Sequence, residues 1–72
     1  MRKTFALIDL DCANCAAKME AAICKIPGVT DASVSYITQK LTLEAPEADF
    51  ARALAQAVKV IQKIEPDCEI VL

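Results

Sequence analysis

Residues 9–15 read Asp9-Leu10-Asp11-Cys12-Ala13-Asn14-Cys15. Two cysteines stand three positions apart, an aspartate directly precedes the first, and a helical pattern opens at the second. Upstream, Thr4-Phe5-Ala6-Leu7-Ile8 reads as a strand, with Phe5 and Leu7 on one side and Ala6 and Ile8 on the other. Downstream, Ala16, Met19, Ala22, Ile23 and Ile26 recur at helical spacing, while Lys18, Glu20 and Lys25 face water. A helix is expected over about Asn14–Ile26, ended by Pro27-Gly28, where glycine supplies a left-handed cap. The cysteine pair therefore sits where a strand gives way to a helix.

The remaining chain alternates in the same way. Val29–Ile37 is expected as a second strand, with Ala32, Val34 and Tyr36 alternating with Ser33 and Ser35. Thr38-Gln39-Lys40 makes a turn without a glycine, and Leu41-Thr42-Leu43 is the third strand. Pro46 opens a second helix, with Glu47 and Asp49 well placed for its dipole. Phe50, Leu54, Ala57, Val58 and Ile61 make that helix's buried stripe, and Gln56, Lys59 and Lys63 its wet face. Glu65-Pro66-Asp67 breaks it, and Cys68–Leu72 is the last strand. The order β-α-β-β-α-β predicts an α+β ferredoxin-like sandwich: a four-stranded antiparallel sheet with two helices on one face.

The chain of 72 residues makes one domain, residues 1–72, with a small core. Apolar residues at 56% are inconsistent with disorder. No apolar run approaches the roughly 20 residues that cross a bilayer. A net charge of −2, with one Tyr and two Phe, argues against nucleic acid as a partner. The start does not read as a signal peptide, so the four cysteines are expected as free thiols in a reducing, cytoplasmic compartment and not as a disulfide framework. A chain ending on a strand fits either a small free protein or one module of a longer one.

Cys-x-x-Cys puts two sulfurs within reach of one soft ion. The thiolate is the ligand, and the unpaired N–H groups at a helix start favour both sulfurs in that form. Asp11 bears on the metal. Two thiolates already satisfy Cu(I), and a carboxylate adds charge and a hard oxygen that this soft ion does not want. Zn(II), and with it Cd(II) or Pb(II), gains from a third ligand of that kind. The predicted metal ligands are therefore Asp11, Cys12 and Cys15.

Each reading has a plainer rival. Cys12 and Cys15 would form a redox pair in a thiol oxidoreductase, but that fold needs a longer chain. A closed structural zinc site needs four ligands, and histidine is absent. Asp11 would otherwise be a helix N-cap or a solvated charge. Cys24 lies about 13 Å along the same helix from Cys15 and cannot share its ion. Cys24 and Cys68 read as scaffold residues, Met19 as core and not a thioether ligand, and Lys18 as part of a solvated face.

These motifs resemble the heavy-metal-associated domain of P-type metal-transporting ATPases and small metallochaperones. That family's pattern is Gly-Met-x-Cys-x-x-Cys between the first strand and first helix. Cys12 and Cys15 match it, Leu10 stands where the family has Met, and Asp9 replaces the usual Gly. Met19, Ile23 and Ile26 fit its helix positions and Pro27-Gly28-Val29 its turn. Asp11 before Cys12, and Glu65-Pro66-Asp67, are similar to the zinc/cadmium/lead-exporting branch. The resemblance implies that Asp11 is a ligand there and makes Glu65 a candidate additional one. It also implies a non-catalytic module that passes metal by ligand exchange. Such a module is the cytosolic N-terminal domain of a metal-exporting ATPase or, alternatively, a free metallochaperone, partnered by other domains of that ATPase or by a metallochaperone.

Overall fold

The structure is a computed structural model that describes residues 1–10 and 12–72. Its elements follow the expected order: β1 (Arg2–Ile8), α1 (Ala13–Cys24), β2 (Asp31–Ser35), β3 (Lys40–Glu44), α2 (Glu47–Ile64) and β4 (Glu69–Val71). The strands form one antiparallel sheet in the order β2-β3-β1-β4. This is the ferredoxin-like βαββαβ fold.

Alternation along the strands decides which face the helices cover. Leu7, Ala32, Leu41 and Leu43 are buried beneath them, joined by the partly covered Phe5 and Val34. On the open face Thr4 lies opposite Thr42, their hydroxyls 3.2 Å apart. The helices contribute Ala16, Met19 and Ile23 from α1 and Phe50, Ala53, Ala57 and Ile61 from α2. The rings of Phe5 and Phe50 meet with centroids 6.5 Å apart. Leu54 and Val58, expected in the buried stripe of α2, are only partly covered, and Ala53 takes a fully buried place instead.

Several element boundaries differ from expectation, the ends of the first helix and second strand most clearly. The first helix ends at Cys24 and is capped by Lys25 in an ordinary right-handed conformation. Pro27-Gly28 instead forms the turn after it, where Gly28 has φ +95° and a side chain would meet Asp49 at 3.0 Å. Glycine thus serves the return of the chain to the sheet, not the helix cap. The second strand is also shorter than expected. Tyr36 and Ile37 lie in the β2–β3 turn, exposed, because pairing with β3 ends at Ser35 opposite Lys40.

Candidate metal centre

The end of β1 delivers the chain to the corner through Asp9, whose φ of 63° is left-handed. Aspartate here adopts the conformation that the family's usual glycine would supply, which its short polar side chain tolerates better than most. Leu10 follows with none of its surface exposed, plugged into the core beneath the loop. Leu10, which stands where the family has Met, thus supports the loop from below. Asp11, a predicted ligand, lies outside the described residues.

Cys12 is the N-cap of α1. Its sulfur accepts the Cys15 backbone N–H at 3.4 Å, and its carbonyl accepts the N–H of Ala16 at 3.0 Å. The cysteine thus takes the capping role usual for Ser, Thr, Asp or Asn. The thiols of Cys12 and Cys15 are free and half-buried, on one rim of the sandwich. Among the described residues no three Cys, His, Asp or Glu side chains form a ready coordination cluster.

The two sulfurs are electrostatically unequal. The Cys12 thiol is held below its ordinary value, first by the Cys15 backbone N–H aimed at it and then by the Cys15 thiol. The Cys15 thiol is pushed up to about 11, first by its hydrogen bond with Cys12, then by burial and by the charges of Cys12 and Glu65. The expectation that the helix start favours both thiolates holds for Cys12 alone. Once one of these neighbouring sulfurs has lost its proton, the other's costs more to remove.

Glu65 is the residue after α2 and joins the site from the far end of the chain. The Cys15 thiol donates to its carboxylate at 3.7 Å. Cys68 sits just ahead of β4, not within it, fully buried. Its thiol is pushed up by burial first, then by the carboxylates of Glu65, Asp9 and Glu69. Cys24 is exposed at the far end of α1, where its thiol donates to the Ala32 carbonyl at 3.6 Å. Among the described residues neither of these cysteines is hydrogen-bonded to the Cys12–Cys15 pair. Lys18 is exposed on α1 and Met19 is core, as expected. Sequence reasoning missed Gln39. Its amide oxygen accepts the Leu10 N–H at 2.9 Å and its amide nitrogen donates to the Tyr36 carbonyl at 2.9 Å.

A dithiol at a strand-to-helix corner of a ferredoxin-like sandwich defines a class of soft-metal modules. The chain belongs to the heavy-metal-associated domain family, whose model matches residues 4–68. It is a metal-binding module, not a catalytic one. Among solved structures it is similar to the CopZ metallochaperone, at 20% identity and a TM-score of 0.78, with 99% of this chain and 100% of that one covered. It is similar to a copper form of CopA from Bacillus subtilis, at 25% identity and a TM-score of 0.72, covering 100% of this chain and 90% of that one. It is also similar to the yeast copper transporter domain Ccc2a, solved in apo and Cu(I)-loaded states, at 20% identity and a TM-score of 0.73, covering 99% and 94%. No curated protein matches the chain by sequence. No helix among the described residues is long and apolar enough to cross a membrane.

Proposed function

We propose that the chain carries a soft divalent ion, Zn(II), Cd(II) or Pb(II), held by Asp11, Cys12 and Cys15. It serves as the cytosolic N-terminal domain of a metal-exporting P-type ATPase. The observation that carries the divalent reading is the Glu65 carboxylate 3.7 Å from the Cys15 sulfur. Two thiolates neutralise a divalent ion and leave it short of ligands, so oxygen donors from Asp11 and Glu65 complete its shell. The same oxygens add nothing for Cu(I). Transfer would be ligand exchange: one thiolate of a partner takes the place of one cysteine on the ion, a second partner ligand takes the place of the other, and the carboxylate oxygens are released. No electron moves and no covalent bond between protein atoms changes.

A second reading is a free metallochaperone for Cu(I). It is favoured by the likeness to CopZ along that whole chain and by the copper named for the CopA and Ccc2a domains. Competitive titration of the reduced protein with Zn(II), Cd(II), Pb(II) and Cu(I) separates the two. Wild type is expected to bind one divalent ion per chain, lost when both Cys12 and Cys15 become Ser. Asp11→Ala is expected to weaken divalent binding by about tenfold or more, and Cu(I) binding far less. Equal losses for both kinds of ion would sink the divalent reading. Continuation of the gene into apolar segments of about 20 residues supports the ATPase context, and a gene ending at Leu72 the free carrier.

A further inference from the structure

Among the described residues only Asp9 and Gln39 combine a side chain with a left-handed backbone, at φ 63° and 57°. L-residues disfavour that conformation, and it persists where surrounding contacts hold it. Gln39 is hydrogen-bonded to the chain on either side of Asp9. The Gln39 carbonyl accepts the N–H of Leu7 at 2.7 Å, and the Gln39 side-chain oxygen accepts the N–H of Leu10 at 2.9 Å. One residue thus grips the chain on both sides of Asp9. The other end of the Gln39 amide donates to the Tyr36 carbonyl at 2.9 Å, across the same turn. The amide can point only one way, since a backbone N–H needs its oxygen and a backbone carbonyl needs its nitrogen.

We infer that Gln39 is a positioning residue for the dithiol: it clamps the Leu7–Leu10 segment, and so fixes the point from which the loop sets out to Cys12. The inference rests on the metal-binding reading of Cys12 and Cys15. Gln39 is not a ligand. It acts through the backbone at Leu10, two residues ahead of the first sulfur. A loop without the clamp samples geometries in which Cys12 and Cys15 no longer converge, and a bound ion then leaves sooner.

The test uses the reduced chain with Gln39→Gly and Gln39→Glu. Glycine keeps the left-handed backbone and the carbonyl to Leu7 but removes the amide. Glutamate keeps an acceptor of the right length for the Leu10 N–H and loses the donor to Tyr36. Three quantities are read: deuterium exchange of the Leu10 amide relative to that of Leu41 in β3, release of Cd(II) to excess EDTA, and thermal stability. Gln39→Gly loses both amide hydrogen bonds, and loss of the one from the Leu10 N–H, at ordinary strength, predicts that Leu10 exchange and Cd(II) release each speed up by about fivefold. Leu41 exchange should stay close to wild type, and Gln39→Glu should recover part of the release effect. Two results would overturn the inference: Cd(II) release at the wild-type rate with the Leu10 amide freed, or a uniform acceleration of Leu10 and Leu41 that tracks the loss of stability. Wild type taking up no Cd(II) is a different failure. It removes the metal reading, and the positioning role falls with it.

Discussion

The carboxylate of Glu65 stands 3.7 Å from the sulfur of Cys15, across a sequence separation of 50 residues. The end of α2 thereby reaches the start of α1. The carboxylate acts on the thiol as a charge.

Glu65→Gln keeps the shape and removes the charge. Glu65 helps to raise the Cys15 thiol, which stands at about 11, so the variant's Cys15 should titrate at lower pH. The rate of alkylation at Cys15, resolved by peptide mapping and followed against pH, reads this shift. An unchanged Cys15 titration would show that the carboxylate does not act on it. In the same variant the affinity for Zn(II) should fall by more than that for Cu(I).

The two thiols should alkylate in order. Cys12 is held low by the Cys15 N–H and Cys15 is raised, so iodoacetamide at neutral pH should modify Cys12 first. Cys15 labelling should rise only as the pH climbs toward about 11. Peptide mapping by mass spectrometry of the Cys24→Ser protein gives the order. Equal rates for the two at pH 7 would contradict the asymmetry.

Cys68 should make apo stability sensitive to alkali. Its thiol is raised in the folded chain from an ordinary value of 9.0, chiefly by burial. Above that value the unfolded chain has lost a proton that the folded one keeps. Folding therefore loses stability as pH rises past 9.0 toward the folded-state value. Urea unfolding between pH 8 and 10 should decline less steeply in Cys68→Ala than in a parent in which Cys12 and Cys15 are already Ser. Parallel slopes would refute the assignment. With Cys12 and Cys15 intact, Cys24→Ser and Cys68→Ala should both leave metal stoichiometry unchanged.

Leu10→Ala should damage both the fold and the site. Leu10 is completely buried, and a truncation of this kind costs about 2–5 kcal/mol. Urea unfolding measures that cost. Cd(II) uptake by the surviving folded fraction should be weaker than wild type, because the plug that anchors the loop is gone. Full affinity in a destabilised protein would separate the plug from the site.

Much of this protein was legible along the chain. Phe5 and Leu7 alternate, and Ala16, Met19 and Ile23 recur at helical spacing, because a strand and a helix each expose one face to the core. The position of Cys12 and Cys15 at the strand-to-helix corner follows from those two periodicities meeting between them. Local sequence was less informative where a contact had to be closed. The role of Gly28 depended on the close approach of Asp49. The inequality of the two thiols depended on where one backbone N–H points.

The order of elements, the core faces and the identity of the paired sulfurs are properties of local pattern, set by periods of two and 3.6 residues. Tertiary structure alone decided that Glu65 meets Cys15 and that Gln39 grips the chain on either side of Asp9. Both contacts join residues far apart along the chain, and no spacing rule encodes them. They exist because the sheet brings the β2–β3 turn, and the packing of α2 brings its last turn, to the same rim as the cysteines.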